Sequence, residues 1–330
     1  MKKTVFLIVA LVALMAAALP AQTGEWKLVT NSGTAAGLFG TSMVYDIVYA
    51  NNTFVAVGTR GRIAYSTDGK EWTAVADSTF GTSGIYSVIS VGPRFFAVGG
   101  SGKAAWSLDG KTWRAVANTG FGTDTIYAVA FGGGRWVAVG SGAKIATSTD
   151  GERWTLVPDT SPPNQYKGEI TSVAFGNNRF VIVDTHDTIR YSQDGRTWTT
   201  VQNHPFIDRE IYDIAWINDR FIAVGHLVWG KTPPQAPIAY SRDGAAWTAV
   251  PGNDAAVFVS HMRGITFGGG KFFAAGDYGE RVYSTDGVAW TRVESISFLV
   301  PLGSQNFKSI AYGAGRFVAV GTGGMIVYSE

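Results

Sequence analysis

Cysteine is absent from all 330 residues. No disulfide can staple the chain and no lipid can be attached through a thiol, so burial alone must hold the fold. Charge is scarce too: 16% of residues are Asp, Glu, Lys or Arg, and the formal balance is +2. A chain this near neutrality exerts no global pull on nucleic acid or anionic lipid. Histidines number four, and no two have the close spacing of a zinc motif. A Gly-rich phosphate loop and a nucleophile elbow are also missing. What is plentiful is glycine, at 42 residues, and aromatics, at 13%. Together they suit many short strands joined by tight turns.

The N-terminus carries Lys2-Lys3, an apolar run from Thr4 to Leu19, and then Pro20-Ala21-Gln22. A basic start, a short apolar stretch and small residues predict a signal peptide over 1–21, too short to span a membrane comfortably. The expectation is an exported protein, periplasmic or extracellular, whose single domain is 22–330. Its removal takes two lysines and no acid, leaving 25 basic against 25 acidic residues.

The remainder repeats one phrase, Ser-x-Asp-Gly-x-x-Trp. It occurs at Ser66/Asp68/Gly69/Trp72, Ser107/Asp109/Gly110/Trp113, Ser148/Asp150/Gly151/Trp154, Ser192/Asp194/Gly195/Trp198, Ser241/Asp243/Gly244/Trp247 and Ser284/Asp286/Gly287/Trp290. Successive tryptophans lie 41, 41, 44, 49 and 43 residues apart. Such a period marks a radial or stacked array. Within 45–75, four β-rich runs alternate with turn residues and no 3.6-residue period intervenes, which is the pattern of a propeller blade. A last unit starting at Lys308 ends after its third run. The missing strand stands at the other end, in 24–29, where Trp26 lies 46 residues before Trp72. The all-β expectation is therefore a seven-bladed propeller with four antiparallel strands per blade, closed by its N-terminal strand.

The phrase resembles the Asp-box, or BNR, repeat of sialidase-like propellers, although Asp and Gly are adjacent here where the family form has an intervening residue. The resemblance covers the whole of 22–330. It implies a turn between third and fourth strands, away from the binding face, as in the non-catalytic photosystem assembly factor and sortilin types. The chemistry agrees: Ser and Asp cap turn amides, Gly takes a positive φ, and Trp fills the wedge between blades. One carboxylate per turn is too few for calcium, and no cofactor or metal is expected. A basic residue opens most second strands (Arg94, Arg135, Arg179, Arg220, Lys271, Arg316), and its expected partner is a turn acid or carbonyl.

Function should lie where the repeats differ. One column at the start of each first strand reads Tyr45, Tyr86, Tyr127, Thr171, Tyr212, Arg263, Lys308. These residues should ring the upper mouth of the central channel, where they either grip a sugar or an anion or pack between blades. All four histidines (His186, His204, His226, His261) fall in upper loops of blades 4–6, with Tyr278 near them. A Pro-stiffened insertion, 226–237, carries Trp229, a plausible anchor. Phe39-Gly40-Thr41, Phe80-Gly81-Thr82 and Phe121-Gly122-Thr123 predict a structural aromatic lid. Arg60, Arg62, Lys103 and Lys144 should make the mouth basic on the side of blades 1–3.

For catalysis the candidates are Asp46 and Asp213, which share a column, and Glu210 beside Tyr212. The arginine triad and Arg-Ile-Pro element of sialidases are absent. The reading is thus an exported, non-catalytic binding or assembly propeller, a monomer or a subunit of a larger assembly, with a protein or glycan partner on its upper face. A glycoside hydrolase or lectin-like carbohydrate binder is the alternative.

Overall fold

The computed structural model describes residues 25–29, 38–158, 168–228, 237–251, 257–293 and 306–330. The proposed signal peptide and Trp229 lie outside them. The described residues form seven four-stranded antiparallel sheets. Blade 1 comprises Val44–Ala50, Thr53–Gly58, Ile63–Ser66 and Thr73–Ala74, and blades 2–6 repeat this order. Blade 7 takes Phe307–Gly313, Arg316–Gly321 and Ile326–Ser329 from the C-terminus and Trp26–Leu28 from the N-terminus. That closing strand pairs Trp26 with Ser329, Lys27 with Tyr328 and Leu28 with Val327. First strands neighbour one another in a closed ring, blade 7 against blade 1 included. This is a seven-bladed β-propeller.

Burial follows from the position of each strand. The second strand lies between two neighbouring blades, so both faces are covered: Thr53–Gly58 is buried at every position. Its sequence, Thr-Phe-Val-Ala-Val-Gly, is accordingly a near-continuous apolar run rather than an alternation. The fourth strand is the outer edge, only two residues long and exposed in blades 1–6. Short edges limit pairing with other chains.

The repeated phrase builds one capped turn six times. In blade 1, Ser66 Oγ donates to Asp68 Oδ1 (3.0 Å) and accepts from the Gly69 amide (2.8 Å), while Asp68 Oδ1 accepts from the amides of Lys70 (2.8 Å) and Glu71 (2.9 Å). The same set recurs down to Ser284 and Asp286. These amide bonds hold the carboxyls of Asp150 and Asp194 down to about 2, with burial of Asp194 working against them. Gly69 adopts φ +76, and a Cβ there would meet Val318 of blade 7 at 2.8 Å. Tryptophans pack on the preceding blade: Trp72 shares a cluster with Val318 and Val320, Trp113 with Val55 and Val57, Trp26 with Phe273. The indole N–H closes the turn onto the glycine carbonyl at Trp72, Trp113, Trp154 and Trp247.

Trp198 and Trp290 depart from that common form. Both still fill the wedge: Trp198 packs on the cluster of Val137 and Val139 in blade 3, and Trp290 on that of Ile222 and Val224 in blade 5. Their indole nitrogens, however, are buried and meet no acceptor among the described residues. In blades 4 and 6 the box therefore keeps its Ser and Asp caps and loses its indole bond. The physical reason is that the ring is held chiefly by the apolar area it buries. One hydrogen bond adds only about 0.5–1.5 kcal/mol to a turn already capped.

Two more devices lock neighbours at this lower end. Arg179 Nη1 donates to the Asp243 carbonyl (2.8 Å) and Arg220 Nη1 to that of Asp286 (2.9 Å), so these basic residues reach the next blade's turn. Aromatics at the ends of first strands lie flat on the preceding blade's glycines. A Cβ on Gly132 would meet Phe175 at 1.9 Å, one on Gly176 would meet Trp216 at 1.9 Å, and one on Gly313 would meet Tyr49 at 2.0 Å.

Candidate functional site: the upper channel mouth

In every blade the ladder between first and second strands slips by one residue. The slip falls between Val44 and Asp46, Ile85 and Ser87, Ile126 and Ala128, Ile170 and Ser172, Ile211 and Asp213, Met262 and Gly264, Phe307 and Ser309. The skipped residues are Tyr45, Tyr86, Tyr127, Thr171, Tyr212, Arg263 and Lys308, the column singled out from the sequence. A bulge re-aims a side chain out of the pleat. All seven are half-buried, and several touch in ring order.

The mouth has two unlike halves. Over blades 1–3, Tyr45 and Tyr86 pack with ring centroids 4.7 Å apart, and Tyr86 and Tyr127 at 5.4 Å. Burial raises the phenol pKa of Tyr45, helped by Tyr86, and that of Tyr127, helped by Glu169 and opposed by Ser141. Over blades 5–7 the ring is charged. The Arg263 guanidinium stacks on the Tyr212 ring, 3.7 Å from its centroid. Its Nε donates to both oxygens of the buried Asp277 (3.0 and 3.1 Å) and its Nη2 to Oδ2 (2.7 Å). The Tyr212 hydroxyl donates to Glu210 (2.7 Å). Burial, then the Glu210 bond, push the Tyr212 phenol far up, against the pull of Arg263.

Histidines complete this corner. His226 and His261 stack at 4.1 Å with 24° between planes, and the Leu227 amide donates to His261 Nδ1 (3.0 Å). Burial lowers the pKa of His261, as do its neighbours His226 and Arg263, while Asp277 and Glu210 oppose them. The other two histidines stand apart, at the junction of blades 4 and 5. The His186 amide donates to Asp184 (2.9 Å), and the Phe206 amide donates to His204 Nδ1 (3.3 Å). Burial also lowers the His204 pKa. His226 and His261 thus meet directly, while His186 lies in a loop of blade 4 and His204 between blades 4 and 5. Tyr278 projects beside blade 7 at 69% exposure, with its backbone at φ +56 and its amide on Asn306. Among the described residues no three His, Asp or Glu side chains gather to hold a metal ion.

No family model matches this sequence, and no curated protein matches it. Solved propellers do match in fold. YCF48 bound to D1 peptide superposes with a TM-score of 0.66 at 16% identity, over 93% of this chain and 96% of that one. YCF48 from Cyanidioschyzon merolae gives 0.66 at 18%, over 92% and 98%. A catalytically inactive virginiamycin B lyase from Staphylococcus aureus with quinupristin gives 0.71 at 13%, over 92% and 99%. At these identities the likeness is one of fold.

The carboxylates suggested for catalysis hold the blades together. Asp46 accepts from its neighbour's amide at Ile47 (2.8 Å), from Val88 N of blade 2 (2.8 Å) and from Ser309 Oγ of blade 7 (2.7 Å). Asp213 accepts from Ser172 Oγ of blade 4 (2.9 Å) and Ile214 N (2.8 Å), and also from Ile265 of blade 6. Each is thus a strut between the blades on either side. Burial raises both; Asp46, which also feels Asp213, is pushed up to about 6 despite its three hydrogen bonds.

Of the four basic residues in the loops of blades 1–3, three are tethered and Arg60 is exposed. Arg62 Nη1 donates to the Leu38 carbonyl (3.4 Å), Lys103 Nζ to that of Phe80 (2.7 Å), and Lys144 pairs with Asp124. These tethers hold the lid aromatics Phe39, Phe80 and Phe121, which are at most 1% exposed. The sequence reading missed a further member, Phe206, buried in the same way against Gly225. Its Ile207-Asp208 in place of Gly-Thr hid it, although its place five residues before the first strand of blade 5 could have revealed it.

Proposed function

We propose that this chain is an exported, non-catalytic propeller that recognises a segment of a partner protein at the upper channel mouth, with blades 5–7 and the 226–237 insertion as its main contact. The observation that carries the reading is the ring of seven bulged side chains, which gathers tyrosines, Arg263 and Lys308 at one opening. Propellers commonly bind at such loop-lined mouths. That YCF48 has been solved with a D1 peptide supports a peptide-sized partner.

Chemistry at the mouth also favours binding over bond cleavage. A tyrosine nucleophile needs an accessible phenolate, whereas the Tyr212 phenol is pushed up rather than down. The hydrolase candidates Asp46 and Asp213 have their oxygens engaged in blade-to-blade bonds. A carbohydrate ligand is the second reading, favoured by the contiguous aromatic row of Tyr45, Tyr86 and Tyr127. Replacing 226–237 with a short Gly turn should abolish partner capture; the loss of buried Leu227 and of the His226–His261 stack should lower the unfolding midpoint while the propeller still folds. Full capture by that variant, or glycoside cleavage that Asp213→Asn abolishes without unfolding, overturns the proposal.

A further inference from the structure

Lys308 is a cation without a direct partner at the mouth. It is the bulged residue of blade 7, between Arg263 and Tyr45 in ring order. It is half-buried, and that burial lowers its pKa, as does Arg263, with only Asp277 opposing. Yet the nearby acids are engaged elsewhere. Both Asp277 oxygens accept from Arg263, and Glu210 accepts from Tyr212. Among the described residues, none accepts a hydrogen bond from Lys308 or pairs with it. Arg263 engages Nε and Nη2 with Asp277, and no described residue takes Nη1. Two cationic donors thus face the same opening, and a partly desolvated charge without a counter-ion is costly.

Counting charge narrows the ligand. Arg263 and Asp277 cancel, and Glu210, held by the neutral Tyr212 phenol, offsets Lys308 without pairing with it, so the corner offers unpaired donors rather than a net charge. A single carboxylate can accept from both donors, whereas a dianionic phosphate would set a second negative charge beside Asp277 and Glu210. Next in the ring after Lys308 come Tyr45 and its ladder, a row of tilted and edge-on rings that an aromatic or apolar side chain can pack against. Resting on the protein-binding reading above, we propose that Lys308 and the free edge of Arg263 form a carboxylate site for an acidic side chain of the partner segment, with a neighbouring aromatic residue against the tyrosine ladder.

The test uses the whole exported chain with its lysines reductively ¹³C-methylated, which gives each ammonium its own NMR signal. The Lys308 signal is assigned by its loss in Lys308→Met. The probes are acetyl-Tyr-Glu-Tyr-amide, its Gln counterpart, and glucuronate, all at matched ionic strength. The expected result is a saturable movement of the Lys308 signal with the Glu peptide, at an affinity at least about tenfold above that for the Gln peptide, a difference of about 1.4 kcal/mol. Unlabelled Lys308→Arg should keep this preference by calorimetry and Lys308→Met should lose it. Lys308→Met should be no less stable than the parent, since it removes an unpaired charge. Equal affinity for the Glu and Gln peptides overturns the site, as does tighter binding of glucuronate. If the site fails while the 226–237 replacement still abolishes partner capture, only the carboxylate site falls and the binding reading stands.

Discussion

The two halves of the channel mouth share one backbone device and differ in how their charges are anchored. In blades 1–3 the bulge carries tyrosines that pack tilted or edge-on against one another, and Arg62, Lys103 and Lys144 are tied to loop carbonyls or to the exposed Asp124. In blades 5–7 the bulge carries Tyr212, Arg263 and Lys308, and the anchoring acid, Asp277, is 4% exposed. Position in the fold is thus the same, while the free energy at stake is not. A propeller can specialise one sector of its mouth without altering the blade that supports it.

The largest effect should separate the two anchors. Asp277→Ala leaves the Arg263 guanidinium half-buried and unpaired, and should cost about 3–5 kcal/mol in urea unfolding. Its counterpart Asp124→Ala breaks an exposed pair with Lys144 and should cost at most about 1 kcal/mol. Similar costs for both would erase the distinction. At the lower end the halves should behave alike. Gly132→Ala drives a methyl into Phe175, and Gly268→Ala drives one into Tyr312. Each should lose about 1–3 kcal/mol by overpacking, and a clear difference between them would show that the asymmetry reaches through the blades.

A smaller effect is expected from pH. The folded His261 pKa lies below its ordinary 6.5, so the unfolded chain binds the proton first on acidification. The stability tied to neutral His261 is complete above that unfolded value and is lost as pH falls towards the folded one. His204 acts in the same direction. Asp46 acts oppositely: raised to about 6, it holds a proton in the folded state that the unfolded chain has released, so its contribution grows as pH falls. His261→Gln should therefore lose less stability than the parent between about pH 7.5 and about pH 5.5, the range in which histidine titrates. An unchanged pH slope in that variant would mean that the stacked pair carries no linkage.

Most of the fold was legible because a repeated phrase reports its own geometry. Ser66, Asp68 and Trp72 do in space what their spacing implies, and Trp26 sits where its phase requires. Trp198 and Trp290 mark the limit of that legibility. Spacing decides which wedge a ring enters, but not whether its N–H ends up pointing at a carbonyl. The mouth was legible only as a column. That Tyr45 and Arg263 belong to one ring is written in the alignment, but the bulge that turns them outward is a matter of register and leaves no mark in residue type. His226 and His261 are 35 positions apart; packing between blades makes them neighbours and leaves His186 and His204 elsewhere. Asp46 and Asp213 were open to two readings for a physical reason. An acid in a column of small residues marks a catalyst and a strut equally well, and only the amides and hydroxyls around it tell them apart.

The strand that closes the ring has a consequence for how the molecule reaches its native state. Lys27 bonds Glu330 across 303 residues, and the Glu330 amide donates to the Glu25 carbonyl. Contacts of such separation carry the largest loop-closure entropy and form late. Six blades can assemble in sequence as the chain emerges, but the seventh waits for its last strand. The wedge beside Trp26 and Phe273 then passes from half-built to sealed in one step. Folding of this ring is therefore gated by its final residues, and mechanical or thermal opening should begin at the same seam.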